Sequence, residues 1–359
     1  MSHPYKHQSA KAFWNRAVSE RHPLELINIY EKKFDITEKR IATAGSCFAQ
    51  HIGRYLKDNN FDYIDLEPAP HIMPEELHKQ YNYGVYSARY GNIYTVRQLL
   101  LLFKEALGEF APIETFWPKG EGYVDPFRPT IEPHPHVRLE ELKEFRMFHL
   151  QKVRELFETC EVFIFTLGLT EAWENIQDGA VYPIVPGTKS GGVFDKTKYC
   201  LHNFNYVEIM EDLQTFYGRL LEINPNCKMI LTVSPVPLAA TAGSEHVLCA
   251  TMYSKSVLRA VAGDFCNKYD TVDYFPSYEL INSPVSKGFY FMADGRSISS
   301  AGVREVMSHF FMAHGLNQPK MIKNIDNEKS GITPQSPKSS VDFEAQCDEE
   351  ILMLEAGTN

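Results

Sequence analysis

Small polar residues that could do chemistry stand at a few separated places: Ser46 after Gly45, Thr170 and Glu171 after Gly168, Ser234 before Pro235, and Asp294. A serine hydroxyl is a weak nucleophile until a neighbour accepts its proton, so acyl transfer at Ser46 calls for a histidine within hydrogen-bond reach. His246 and His202 are the candidates, with His246 favoured because it follows the end of an apolar run. Backbone amides at a helix start after Ser46 could hold a developing oxyanion. The same position suits an N-cap serine, which needs no chemistry. Cys47 offers a thiol alternative, since a helix N-terminus favours thiolate, although a buried cysteine packed under the helix is an equally ordinary outcome. Glu171 could orient a histidine, bind sugar hydroxyls, or pair with Arg296 or Lys255. Trp173 could stack on a sugar ring or belong to the core.

Other groups point away from metals and nucleotides. His134, His136 and His149 have a proline-interrupted, non-specific spacing, and the cysteines form no CxxC. The segment Gly187 to Gly192 lacks both the P-loop spacing and a preceding apolar strand. No metal and no cofactor is expected.

These residues need elements to position them. Residues 41–44, 162–167, 228–233 and 272–275 read as short, continuous apolar strands. Helical patterns follow Ser46 and cover about 96–108, 138–158, 206–222, 252–268 and 300–313. Strands alternating with helices predict an α/β fold with a mostly parallel sheet covered on both faces. Ligands of such sheets bind at the carboxyl ends of the strands, where the polar residues fall. The organisation expected is an N-terminal arm over 1–39, with Phe13, Trp14 and Val18 at helical spacing, and a domain over 40–317. That domain carries an aromatic and proline-rich insertion at 109–137. An acidic tail over 318–359 reads as disordered, and its Glu349–Leu354 stretch has the pattern of a short docking helix.

At 359 residues and 44% apolar content the chain can bury a large core without disulfides. Its net charge of −10 argues against nucleic-acid binding. Without a membrane-length apolar span or an N-terminal apolar leader, the cytoplasm is the expected location. The seven scattered cysteines are expected to be reduced. The oligomeric state is not readable.

The run ATAGSCFAQHIGRYL carries the Gly-Ser-Cys-Phe-Ala signature, and YGVYSARYGNIYT, FIFTLGLTEAW, LTVSPVPLAAT, YSKSVLRAVA and YFPSYEL follow. Over about 5–315 the chain resembles the GSCFA family, which is similar to the SGNH (GDSL-like) esterases. The resemblance implies a three-layer α/β/α, flavodoxin-like fold and a serine hydrolase or acyltransferase acting on a carbohydrate or other polar O-acyl substrate. Ser46 matches the SGNH nucleophile, its amide forming part of the oxyanion hole. Gly168 and Thr170 stand where those enzymes have Gly-x-Asn, and Gly91 or Gly84 matches the oxyanion glycine, with Asn92 a further donor. Asp294 matches the Asp of Asp-x-x-His, but Ser297 holds the histidine position. Serine cannot replace an imidazole base at neutral pH. A base from elsewhere (His246 or His202), a reaction needing no strong base, or a binding relative without hydrolysis would each account for that departure.

Overall fold

The computed structural model describes residues 3–22, 25–316 and 347–356. Its strands are β1 (Ile41–Gly45), β2 (Trp117–Lys119), β3 (Gly122–Val124), β4 (Val162–Leu167), β5 (Glu171–Asn175), β6 (Val181–Tyr182), β7 (Tyr199–Asn203), β8 (Lys228–Val233) and β9 (Val272–Phe275). Its helices are α1 (Cys47–Asp58), α2 (Glu75–His78), α3 (Val96–Ala106), α4 (Leu139–Thr159), α5 (Tyr206–Ile223), α6 (Val247–Lys268), α7 (Ser277–Asn282), α8 (Ser300–Ala313) and α9 (Glu350–Ala356).

Strands β1, β4, β8 and β9 form a parallel four-stranded sheet in the order β1-β4-β8-β9. They are the four apolar runs of the sequence. All five residues of β1 and all six of β4 are buried, as expected for strands covered on both faces. Alternation along the strands splits the core in two. Ala42, Phe163, Phe165 and Leu231 pack with α3, α4, α5 and α6. Ile41, Val162, Ile164 and Ile230 pack with Phe48 and Ile52 of α1 and Phe310 of α8. Fully burying side chains of this size contributes roughly 1.5–3 kcal/mol each, which fixes the positions of the strand ends.

Three features differ from the sequence reading. Residues 171–203, where no strand is expected, contribute β5, β6 and β7, which form an antiparallel three-stranded sheet in the order β6-β5-β7. The irregular 109–137 segment contains the β2-β3 hairpin, on which Trp117 and Val124 bury against Tyr182 and Tyr199. In the arm, Trp14 is 69% exposed and the helical stretches are short (Pro4–His7, Ala10–Ala12 and Asn15–Ser19), whereas Tyr30 and Ile36 enter the core. Tyr30 is fixed by a 2.9 Å hydrogen bond from its hydroxyl to Asp273.

Most of the tail expected to be disordered lies outside the described residues. The exception is 347–356, which ends in α9 and packs onto the domain. Among the described residues no helix is long and apolar enough to cross a membrane.

Candidate functional site

The carboxyl end of β1 sets the geometry. Gly45 has φ +138°, and a β-carbon there would overlap the Thr166 backbone on β4, so only glycine permits the turn. Ser46 follows at the N-cap of α1 with φ −67° and ψ 178°, yet its side chain makes no capping hydrogen bond. Its Oγ is buried and has no partner among the described residues. The ordinary reason for a serine at this position is therefore not in use. Burying an unsatisfied hydroxyl costs about 1–3 kcal/mol, and Thr166 Oγ1 and Thr170 Oγ1 share that condition on the adjoining β4 edge. The Ser46 amide, expected to serve an oxyanion, instead donates to the Thr166 carbonyl at 3.2 Å.

Gly168 lies directly against the serine. A β-carbon on it would stand 2.9 Å from Ser46 Cβ and 2.9 Å from the Tyr94 carbonyl oxygen. Its own amide donates to that Tyr94 carbonyl, and the Thr170 amide donates to Ser254 Oγ. The Gly168 carbonyl accepts Lys255 Nζ at 2.7 Å. Lys255 projects from α6 and is 1% exposed. Burial pulls its ammonium down to about 8, although Glu349 and Cys47 push the other way. Gly91, at φ +74°, turns the chain so that Asn92 is buried beside Gln50, whose Nε2 donates to Asn92 Oδ1 at 2.9 Å.

The histidines are elsewhere. His246 caps α6, its Nδ1 accepting the Leu248 amide at 3.1 Å, and its ring is exposed. This cap also explains why α6 begins at Val247 instead of 252. His202 is clamped on β7 between Glu174 at 2.8 Å and Glu208 at 2.9 Å and stacks on Phe204. Asp294 is exposed and accepts from Ser297 Oγ at 2.5 Å and from the amides of Arg296 and Ser297. The Ser46, His246, Asp294 triad is thus not assembled: the imidazole caps a helix and the carboxylate closes a turn. Among the described residues no histidine hydrogen-bonds Ser46 Oγ, and His202 and Ser297 do not take that role either.

The Asp294 turn does something else. It delivers Arg296 inward, with Nε donating to the Pro237 carbonyl at 3.2 Å and Nη2 lying 3.2 Å from Glu349 and 3.3 Å from Cys347 Sγ. Cys347 in turn hydrogen-bonds Cys47; that contact and Arg296 draw its thiol down to about 6 against the opposing effect of burial. The partner thiol, Cys47, is pushed well above its ordinary value by Cys347 and by burial, so the helix start does not activate it. Glu171 lies on β5, accepts Thr241 Oγ1 at 2.8 Å, and is raised by burial. With Trp173, Tyr94, Leu238 and Leu352 it lines a cleft of about 180 Å³.

Lys255 and Arg296 were visible in the sequence only as partners for Glu171. Nothing in their spacing announced that both would be buried at this rim. The Glu349–Leu354 stretch was readable as a docking helix through Ile351 and Leu352, but the polar contribution of Cys347, Asp348 and Glu349 to the rim was not. Among the described residues no group of three or more His, Cys, Asp or Glu side chains could hold a metal ion.

A comparison with curated proteins finds no match. The GSCFA family model matches residues 40–310, a span containing the whole parallel sheet, Ser46, Asn92, Gly168, Lys255 and Arg296. This chain belongs to the GSCFA family.

Proposed function

We propose that this chain is an acyl-ester hydrolase or acyltransferase on a three-layer, flavodoxin-like SGNH-type frame, acting in the cytoplasm on a carbohydrate or other polar O-acyl substrate. Ser46 is the nucleophile. The observation that carries the reading is its buried hydroxyl, held at a helix N-cap without capping the helix. A group kept in a costly state at the carboxyl end of a parallel sheet is a group awaiting a ligand.

In this reading Ser46 Oγ attacks the acyl carbon and gives its proton to Lys255 Nζ. That nitrogen here rests on the carbonyl of the adjoining Gly168 and has to turn to Ser46 Oγ when substrate binds. The ester C–O bond breaks, and the departing alcohol takes that proton. An amine titrating near 8 is partly neutral at physiological pH and can act as general base. The Cys47 and Phe48 amides, which open α1 and have no partners within the helix, face the developing oxyanion together with Thr170 Oγ1. Water or a sugar hydroxyl then attacks the acyl-enzyme and gives its proton to Lys255 Nζ, and the acyl–Oγ bond breaks as Ser46 Oγ takes that proton back. Glu171 and Trp173 on the cleft wall suit the polar edges and the flat face of a sugar ring.

Ser46→Ala should abolish hydrolysis of p-nitrophenyl acetate, and Lys255→Met should slow it while leaving the fold intact. Undiminished turnover by Ser46→Ala would remove Ser46 from the mechanism. A second reading is a ligand-binding relative without hydrolysis. It is favoured by the lack of any imidazole hydrogen-bonded to Ser46 Oγ among the described residues. Saturable sugar binding with no turnover in either wild type or variant would select it.

A further inference from the structure

The segment docked beside Cys47, on Asn92, Tyr94 and Arg296, comes from outside the family-matched span. Residues 347–349 are buried, although thirty residues, 317–346, separate them from Leu316 and the matched region ends at 310. What they meet is polar and convergent. Asp348 Oδ2 accepts Asn92 Nδ2 at 2.9 Å and the Tyr94 hydroxyl at 3.3 Å, and Oδ1 accepts Thr130 Oγ1 at 2.6 Å. The Asp348 amide donates back to the Tyr94 oxygen at 3.0 Å. One residue on, Glu349 meets Arg296 at 3.2 Å. Leu352 then lies along the cleft wall beside Tyr94, Leu169 and Leu238.

Three neutral donors aimed at one carboxylate, with a guanidinium placed for a second, form a built receptor for an acidic ligand. Asn92 Oδ1 also accepts Gln50 Nε2 at 2.9 Å, and the Tyr94 amide donates to Gln98 Oε1 at 2.9 Å, so the domain anchors both residues through contacts that do not involve the segment. Both carboxylates come from a stretch joined through a long connection, which holds it near the site at high effective concentration without making it core.

We propose that the polar recess between Asn92, Tyr94, Thr130 and Arg296, at the Tyr94 end of the cleft, is a binding site for a carboxylate-bearing small ligand, an acidic sugar, and that Asp348 and Glu349 are the chain's own occupant of it. Asn92, Tyr94 and Thr130 form one carboxylate subsite, and Arg296 forms the other. That the acidic sugar is an O-acylated substrate rests on the acyl-ester reading above; that the recess takes carboxylates does not. The resident segment covers Cys47 through Cys347, so a ligand that takes the carboxylate subsites displaces it and uncovers that thiol.

The test uses the full chain carrying Asp348→Ala and Glu349→Ala, with iodoacetamide alkylation of Cys47 followed by peptide mass spectrometry. Alkylation should accelerate about tenfold or more, the scale expected when charge-assisted hydrogen bonds to a docked segment are lost. A synthetic peptide spanning 347–356 with Cys347→Ser should restore protection, as should glucuronate, and glucose should not. An unchanged alkylation rate would overturn the proposal. So would equal protection by glucose and glucuronate, or full protection by a peptide further carrying Asp348→Asn and Glu349→Gln. If the double variant melts early, the near-isosteric Asp348→Asn alone should show the same direction of change. Fluorophosphonate labelling of Ser46, followed in parallel, separates the two readings. Glucuronate protection without labelling keeps the carboxylate site and removes the acyl chemistry.

Discussion

Beside α4, Asp125 accepts Arg128 Nε at 2.8 Å and Arg146 Nη1 at 2.9 Å, Arg146 reaches on to Glu105, and Glu67 binds His149 Nδ1 at 2.7 Å and the Arg89 amide at 2.6 Å. At the Ser46 rim, 3% exposed and so buried as deeply, three hydroxyls have no partner among the described residues, and the charges present meet a segment from outside the family-matched span. The first cluster leaves His149 Nε2 and Arg89 Nε over, on groups already anchored through other atoms. The difference separates structure from function better than burial or charge does. A polar cluster closed on itself holds the fold, whereas one left open at a strand end is kept for something that arrives.

The comparison breaks if stability and chemistry do not divide along that line. The largest effect belongs to the closed cluster. Asp125→Ala strands two buried arginines and should cost about 3–5 kcal/mol in urea unfolding, with Ser46 reactivity retained in whatever fraction stays folded. Next is pH. Burial and Arg128 draw His149 down to about 4 despite Glu67, so it is neutral when folded and gains a proton on unfolding below its ordinary value of 6.5. The unfolded state binds more protons there. Stability should therefore fall between pH 6.5 and 4 by on the order of 2–3 kcal/mol, and His149→Phe should flatten that part of the curve. Glu67 extends the loss below pH 4.5, because burial raises it but His149 and Arg128 outweigh burial and hold it near 2.

At the open rim the effects are smaller on stability and larger on chemistry. Gly168→Ala places a methyl group 2.9 Å from Ser46 Cβ, which should cost about 1–3 kcal/mol by overpacking and should displace the serine. Ser46→Ala removes an unsatisfied hydroxyl and should leave the unfolding midpoint unchanged or raise stability by about 1 kcal/mol. A destabilisation of Ser46→Ala as large as that of Asp125→Ala would mean that the two clusters are of one kind.

Much of this was legible in the sequence. β1, β4, β8 and β9 are continuous apolar runs, and a run of that kind between turns has few alternatives to a buried strand. Gly45-Ser46 and Gly168 were readable as rim residues because parallel strands put their ends on one side. The β5, β6, β7 sheet was hidden because Glu171–Asn175 and Tyr199–Asn203 mix polar and apolar residues and are paired by partners about thirty positions away. His246 was misjudged because a cap and a base differ only in where one nitrogen points. The docked 347–356 segment was the least legible part. Cys-Asp-Glu reads as solvated chain unless Asn92, Tyr94 and Arg296 are known to converge on it.

The central claim is that Ser46 is an activated nucleophile, and stoichiometric fluorophosphonate labelling tests it most directly. Wild type and the Asp348→Ala, Glu349→Ala variant should be treated in parallel and the adduct located by peptide mass spectrometry. The account predicts one equivalent on Ser46 in both and none in Ser46→Ala. A folded variant with its cleft open and no adduct on Ser46 would contradict it.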